Sequence, residues 1–130
     1  MEKKQVIIDT NFLLIPGQFK VDIFSEINRI MTEPYELFIV EKTIEELNRI
    51  IMAAGRDDKF AAKLGLVLTI QKSLKRLPSS NGLNTADDDI VDSSSKDTYV
   101  ATQDAELRKR LRKKGAKIIG LRQKRYLVMD

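Results

Sequence analysis

The fold of this chain is decided by a stretch near its C-terminal end, YVATQDAELRKRLRKKGAKIIGL, residues 99–121. It opens with an apolar strand-like run at 99–101 and closes with another at 117–121. Between them leucines recur at helical spacing, and Gly115 is typical of a helix end. Strand, helix and strand in this order predict a βαβ unit, whose two strands lie parallel in one sheet.

The rest of the chain continues this alternation of elements. Further buried strands are predicted at residues 6–8 and 37–40. The sequence leaves open whether RYLVM at 125–129 forms a fifth strand or a docking tail. Helices are predicted over about 20–32, from a capping box at Thr43, over the apolar positions from Phe60 to about Arg76, and from a cap at Thr85 to about Ser95. The predicted fold class is α/β, with a central parallel sheet of four to five strands, helices on both faces and one domain over 1–130.

Composition limits the chemistry that the chain can perform. The 130 residues are 42% hydrophobic and 32% charged, as in a soluble globular domain, and include neither cysteine nor histidine. Zinc, haem and copper sites, as well as Ser-His-Asp and Cys-His nucleophiles, are therefore excluded. A metal site here would be built from oxygen and would take Mg²⁺ or Mn²⁺, or Ca²⁺ if it were flexible.

Location and charge give two further expectations. The opening MEKKQVIID shows no signal-peptide pattern and the apolar runs are too short to cross a bilayer, so we expect a cytoplasmic protein with no membrane partner. Residues 105–130 carry ten lysines and arginines against two acids, whereas residues 1–104 have a net charge of −4. This asymmetry indicates a polyanionic partner, although the solvated face of a surface helix would look the same.

Four acids fall at corresponding points of the predicted elements. Asp9 and Asp104 follow the carboxyl ends of strands, while Glu46 and Asp87 lie in first turns of helices. In a parallel α/β sheet all these points lie at one edge, where ligands bind. Taken singly, three of them read equally well as helix-cap or first-turn acids, whereas a charged Asp9 after a buried strand needs a partner.

Such a set of carboxylates suggests a hydrolytic chemistry. Three or four carboxylates can hold one or two Mg²⁺ or Mn²⁺ ions, which activate water and stabilise charge on a phosphoryl oxygen. Substrates that need this help and also seek a basic surface are nucleic acids. The row Asp87-Asp88-Asp89 fits the same picture, because a cation and a helix N-terminus ease the repulsion between adjacent charges. We expect one carboxylate of the metal-free pocket to have a raised pKa.

The order of four motifs resembles the PIN-domain nucleases. VIIDTNFLL, TIEELNRI, TADDDI and YVATQDAELRKRLRKKG cover nearly the whole chain, and ATQDAELRKRLRKKGAKIIGLRQKRY is most similar to the small PIN proteins of ribosomal RNA processing and their short prokaryotic relatives. The resemblance implies a parallel sheet between helices, an acidic pocket for Mg²⁺ or Mn²⁺, and endoribonuclease activity on single-stranded RNA.

The resemblance also implies roles for individual residues. The family's acids correspond to Asp9, Glu46, Asp87 and Asp104, its hydroxyl position to Thr102, and its asparagine to Asn11. As direct metal ligands, Glu46 is preferred to Glu45 and Asp87 is preferred to Asp88. Asp88 is then a second ligand or holds water, and Asp89 is expected to face solvent.

RNA contacts are expected from the basic C-terminal segment. The expected phosphate-binding residues are Arg108, Arg110, Arg112, Lys113, Lys114, Arg122, Lys124 and Arg125, and Asn11 is expected to contact the RNA as well. Base stacking would depend on few aromatic residues, such as Phe12, Phe19 or Tyr99, and all three fit equally well in a core.

Two other functions remain open from the sequence. One is a non-catalytic RNA-binding or ribosome-assembly module with the same fold, and the other is the toxin of a toxin–antitoxin pair. The partners to consider are accordingly RNA, a second copy in a homodimer, an antitoxin and a ribosomal assembly partner.

Overall fold

The computed structural model describes residues 2–53 and 55–130. In these residues there are six strands and six α-helices. The strands are β1 (Lys4–Ile8), β2 (Tyr35–Val40), β3 (Lys75–Leu77), β4 (Thr98–Ala101), β5 (Lys117–Arg122) and β6 (Tyr126–Met129). The helices are α1 (Ile15–Phe19), α2 (Ile23–Ile30), α3 (Glu41–Ala53), α4 (Arg56–Gln71), α5 (Ala86–Asp92) and α6 (Ala105–Lys113), and a 3₁₀ turn at Thr10–Leu14 joins β1 to α1.

The strands form a single sheet in the order β3-β2-β1-β4-β5-β6. Every pairing is parallel except that of β5 with β6. The chain builds outward from β1 in one direction through β2 and β3, and in the other through β4, β5 and β6. The gap between the ends of β1 and β4 is therefore the switch point of the topology, where open α/β sheets bind their ligands.

Side chains alternate between the two faces of the sheet and build two cores. On one face Val6 and Ile8 of β1 pack with apolar residues of α2, α3 and α4, among them Ile23 and Leu47. On the other face Ile7 packs with residues of α5 and α6. The α/β architecture with helices on both faces is thus confirmed, with six strands rather than four to five.

Three predicted element boundaries are wrong. The helix expected to reach Arg76 ends at Gln71, because Ser73 has a left-handed backbone with φ 53° and the chain continues as the edge strand β3. The helix expected from residue 20 begins at Ile23, since Asp22 accepts hydrogen bonds from the amides of Phe24 and Ser25.

Thr43 is the third misplaced boundary residue. Helix α3 starts at Glu41, directly after β2, so Thr43 lies inside the helix rather than at its cap. Its buried hydroxyl lies 3.1 Å from that of Thr10, the residue after Asp9.

The RYLVM segment is both a strand and a docked tail. Its residues 126–129 form β6, and Glu26 and Arg29 of α2 bind the main chain of Leu127 through hydrogen bonds of 3.0 and 2.9 Å. These side chains occupy polar groups of an edge strand that would otherwise be free to pair with another chain. In the described residues no helix combines the length and apolar character needed to traverse a bilayer.

Candidate active site

The switch point places two of the predicted acids side by side. Asp9 directly follows β1, and its amide donates to the carbonyl of Ala101 at the end of β4 (3.0 Å), which extends the parallel pairing by one step. Asp104 lies three residues beyond β4 as the N-cap of α6, where its Oδ1 accepts from the Leu107 amide at 2.8 Å. The N-cap interpretation of Asp104 is therefore correct, and the same residue also faces the switch point.

Thr102 connects these two acids. Its hydroxyl donates to Asp9 Oδ2 at 2.9 Å and accepts from the Asp104 amide at 3.1 Å. Thr102 is fully buried and Asp9 is only 4% exposed, so this bridge is shielded from water. A buried hydroxyl in this position fixes the rotamer of one carboxylate and the start of the next helix at once.

Glu46 reaches the same place from α3. The hydroxyl of Thr10 donates to Glu46 Oε1 and also contacts Thr43, which lies one turn earlier on the helix. Thr10 is buried beside Asp9. The threonine of the DTN motif therefore ties the helix that carries Glu46 to the end of β1.

Asp87 enters from the first turn of α5. Thr85 caps this helix by accepting from the Asp88 amide, and Asp88 returns a carboxylate oxygen to the Thr85 amide, which makes a capping box. The predicted cap at Thr85 is confirmed. Asp87, at the position between them, is half-buried and faces the cavity described below.

The other two acids of the row point elsewhere. Asp88 is engaged in the capping box and in an ion pair with Arg110 at 2.9 Å, and it does not line the cavity. The expectation that Asp89 faces solvent is wrong, because this residue is only 3% exposed. Ser79 and Asn84 donate to its Oδ1, and Lys42 lies 3.6 Å from its Oδ2, since the loop before α5 folds back over the helix.

The four acids that correspond to the family's set meet at one cavity of about 460 Å³. Each comes from a different part of the chain, which only the parallel topology brings together. The cavity is lined by Asp9, Thr10, Asn11, Glu46, Arg49, Ile50, Thr85, Asp87 and Asp104.

Two carboxylates of the cavity have raised pKa values. Burial, together with the charges of Asp87 and Glu46, raises the pKa of Asp9 from 3.8 to about 6, against the lowering effect of the Thr102 hydrogen bond. Burial also raises the pKa of Asp87, helped by Asp104 and Glu46 and opposed by Arg110. The expectation of one raised carboxylate is confirmed for Asp9, and Asp87 adds a second.

The donor set fits a hard divalent cation. Carboxylate, hydroxyl and amide oxygens line the cavity, and buried acids that raise one another's pKa are stabilised by a positive charge. As the side chains lie, residues 2–53 and 55–130 contain no group of three or more acids arranged as a ready-made coordination shell. An ion that keeps most of its water and touches only one or two carboxylates, as Mg²⁺ does, fits such a spread of ligands.

The basic residues predicted to bind RNA fall into two groups. Several are already engaged: Arg108 and Arg122 pair with Asp130, and Arg110 pairs with Asp88. Exposed positions are held by Arg112, Lys113, Lys114, Lys124 and Arg125, and Lys124 lies over the ring of Phe19. Asn11 is exposed at the cavity rim.

Sequence reasoning overlooked three residues of this region. Arg49 lines the cavity one helical turn after Glu46, and this i, i+3 spacing was the signal that would have found it. Thr10 stands between Asp9 and Asn11 in the DTN motif, and the resemblance assigns it no role. Lys42 gave no local signal, because its partner Asp89 is far along the chain.

Comparison with known proteins gives consistent matches over nearly the whole chain. A family model described as a PIN like domain matches residues 6–124. Ribonuclease VapC4 of Methanocaldococcus jannaschii is 30% identical over 124 residues, which cover 94% of this chain and 93% of that protein. The solved structure of the PIN domain endonuclease Utp24 matches with a TM-score of 0.76 and 27% identity over 97% of this chain and 90% of that one.

Proposed function

The chain belongs to the PIN-domain ribonuclease family, and on that premise we propose that it is an endoribonuclease that cleaves single-stranded RNA with the help of Mg²⁺ or Mn²⁺. The observation that carries the proposal is the convergence of Asp9, Glu46, Asp87 and Asp104 on one cavity at the switch point of the sheet. One or two of these carboxylates would bind the ion directly, and the others would hold it through its bound waters. When bound, the ion supplies activation of water and stabilisation of charge on the scissile phosphate.

The chain's own groups position the substrate and the acids. Thr102 orients Asp9 through its hydroxyl, and Thr10 orients Glu46. Arg49 at the cavity wall carries the positive charge suited to a phosphate oxygen of the RNA backbone. Asn11 is exposed at the same rim and offers an amide to the neighbouring sugar or phosphate.

A single-stranded substrate agrees with the shape of the site. The cavity opens at the carboxyl ends of the central strands, with the exposed side chains of Asn11, Arg49 and Asp104 at its rim. A flexible backbone can bend into such a concave site, whereas a duplex holds its phosphates on a stiff helical surface. Affinity would rest mainly on phosphate contacts and would fall with added salt.

The test is a cleavage assay with matched variants. Purified protein is incubated with a 5′-labelled single-stranded RNA and with its duplex, in Mg²⁺, Mn²⁺ or EDTA. We expect cleavage of the single strand that requires the metal and falls by roughly 100-fold or more in Asp9→Asn, since changes around metal ligands alone cost 10- to 100-fold. Asp57→Asn, at an exposed acid of α4, is the charge-matched control and should cleave normally. Cleavage that persists in EDTA and in Asp9→Asn would contradict the proposal.

A further inference from the structure

A second cavity adjoins the one lined by Asp9, Glu46, Asp87 and Asp104, called here the acidic cavity, and has a different lining. It measures about 490 Å³ and shares Asn11 with the acidic cavity. Its walls carry Ile15, Gln18, Phe19, Leu121, Gln123 and Lys124, together with Gln103. We propose that this cavity, called here the amide cavity, binds one unpaired nucleobase of the RNA whose backbone crosses the acidic cavity; this inference rests on the proposed function.

The first support is the position of Phe19. Of the three aromatic residues that the sequence offered for base stacking, Phe12 and Tyr99 are buried, at 1% and 7% exposure, whereas Phe19 is 37% exposed. Phe19 is the last residue of α1 and lines the amide cavity. An exposed ring in a cavity offers a flat apolar face, on which any base can stack.

Polar groups in the amide cavity suit the edge of a base. Gln18, Gln123 and Asn11 are exposed, and each side-chain amide offers both donors and an acceptor, the combination that pairs with base edges. Gln103 is engaged differently, since it binds both the amide and the carbonyl of Leu121, at 2.7 and 3.2 Å. Gln103 therefore shapes the wall, and the amides of Gln18 and Gln123 remain to bind the base edge, beside Asn11 at the border of the two cavities.

The charge of the amide cavity also favours a base over a second metal or a phosphate. Its described lining has no acid, and its single cation, Lys124, lies with Nζ 5.3 Å from the centroid of the Phe19 ring. Ile15 and Leu121 contribute apolar surface. A planar group with polar edges matches this mixture of apolar walls and amides.

The turn that supplies Gln123 and Lys124 is strained. Both residues have left-handed backbones, with φ 54° and 55°, and the turn is closed by a hydrogen bond from the Arg125 amide to the Arg122 carbonyl at 3.1 Å. Turns of this kind normally use glycine or asparagine. Side chains kept at such positions despite the strain often serve a ligand site, and here both line the amide cavity.

Continuity with the acidic cavity sets the expected register. Asn11 borders both cavities, so a nucleotide whose phosphate lies beside Asp9 places a neighbouring base near Phe19. Stacking on Phe19 and hydrogen bonds to the amides hold the base. Lys124 then either covers the face of the base that does not touch Phe19 or moves to a phosphate. The proposal therefore predicts that bases, and not only phosphates, contribute to binding.

The test compares two oligomers of equal charge. Binding of a fluorescein-labelled single-stranded RNA heptamer of mixed sequence is measured by fluorescence anisotropy in EDTA, beside a heptamer in which every base is replaced by an abasic ribose. We expect the wild type to bind the base-bearing heptamer about 5- to 150-fold more tightly, as one stacked base contributes. Phe19→Leu should lose most of this preference while binding the abasic heptamer normally, which also shows that the variant is folded.

Two further variants make the result specific to Phe19. Phe60→Leu changes a phenylalanine of α4 that is 60% exposed in another cavity, and it should keep the full preference. Phe19→Tyr retains an aromatic ring and should restore it. A wild type without preference, an unchanged preference in Phe19→Leu, or an equal loss in Phe60→Leu would overturn the base site.

The outcome is separable from that of the proposed function. Base preference dependent on Phe19, in a protein that cleaves no RNA with Mn²⁺ or Mg²⁺, would support the base site and contradict the nuclease. Metal-dependent cleavage without such a preference would support the nuclease and overturn the base site.

Discussion

The buried hydroxyl of Thr102 donates to Asp9 Oδ2 at 2.9 Å, from the end of a neighbouring strand. The same oxygen accepts from the Asp104 amide. One side chain thus holds two of the four acids of the cavity in relation to each other, although it does not itself line the cavity.

Replacing this hydroxyl should impair cleavage through Asp9. Thr102→Val keeps the volume but removes both hydrogen bonds, and we expect activity to fall about 10- to 100-fold, as for other groups that orient metal-binding side chains. Thr102→Ser restores the hydroxyl and should recover most of the activity. The comparison is made by titrating Mn²⁺ in the cleavage assay, because a mispositioned Asp9 also raises the metal concentration needed. Equal activity of the valine and serine variants would contradict this role.

The raised pKa of Asp9 gives stability an unusual pH dependence. Its folded-state pKa is about 6 against 3.8 for an ordinary aspartate, so the folded protein binds this proton more tightly than the unfolded chain does. The stability contributed by the group is complete below pH 4, falls as the pH rises to 6, and stays low above that. The total loss is about 3 kcal/mol at most, at 1.36 kcal/mol for each pKa unit.

Asp9→Asn should remove this loss. We expect the variant to be more stable than the wild type at pH 7.5 in EDTA, and the advantage to disappear near pH 4. Urea unfolding of both proteins at both pH values measures the difference between their free energies of unfolding. Acids with lowered pKa values, such as Asp22 and Glu26, contribute equally to both proteins and cancel in this difference. Mg²⁺ or Mn²⁺ should raise the stability of the wild type and not of Asp9→Asn. A difference between the two proteins that does not change with pH would show that Asp9 titrates normally.

The ion pair between Lys42 and Asp89 should contribute strongly to stability, although its two residues lie far apart in the sequence. Asp89 is buried, and Lys42 Nζ also donates to the carbonyls of Asn81 (3.1 Å) and Asn84, which fastens the loop before α5. Lys42→Met leaves the carboxylate buried without its cation, and we expect a loss of about 3 kcal/mol in the free energy of unfolding.

A double-mutant cycle separates this effect from general damage. Lys42→Met combined with Asp89→Asn should be less destabilised than the sum of the two single variants, because no unpaired charge is then buried. Lys63→Met, at an exposed lysine of α4, is the matched control and should stay near the wild type. Additive effects in the cycle would show that the pair is not energetically coupled.

The predictable parts of this molecule were those governed by local chemistry. Neighbouring residues in the sequence are enough to identify the apolar strands, the leucine spacing of a helix and the Thr85 cap. They are also enough to place acids at the ends of strands. The errors lie where a distant partner decides. Thr43 has the sequence pattern of a cap, but α3 already begins at Glu41 and the Thr43 hydroxyl meets Thr10. Asp89 reads as a surface acid until Lys42 and the loop of residues 78–84 close over it. Edge strand β3 has only three residues, too few for a periodic pattern to identify.

The exposed cations should differ in their contribution to RNA binding according to their distance from the acidic cavity. Arg49 lines the cavity, whereas Lys113 is the last of nine residues in α6, about 14 Å of helix away from the end that Asp104 caps. Since the Debye length at physiological salt is about 8 Å, a short RNA seated in the cavity interacts weakly with that lysine.

Arg49→Gln should therefore weaken binding of the RNA heptamer and lower the slope of log K against log salt by about 0.7, the value for one lost contact on a single strand. Lys113→Gln, the matched control, should leave the slope nearly unchanged. Arg108→Gln should also leave it unchanged but reduce stability, because this guanidinium donates twice to the Thr102 carbonyl and pairs with Asp130. Anisotropy titrations from 50 to 200 mM KCl in EDTA measure all three. A larger effect from Lys113 than from Arg49 would mean that RNA follows α6 instead of entering the cavity.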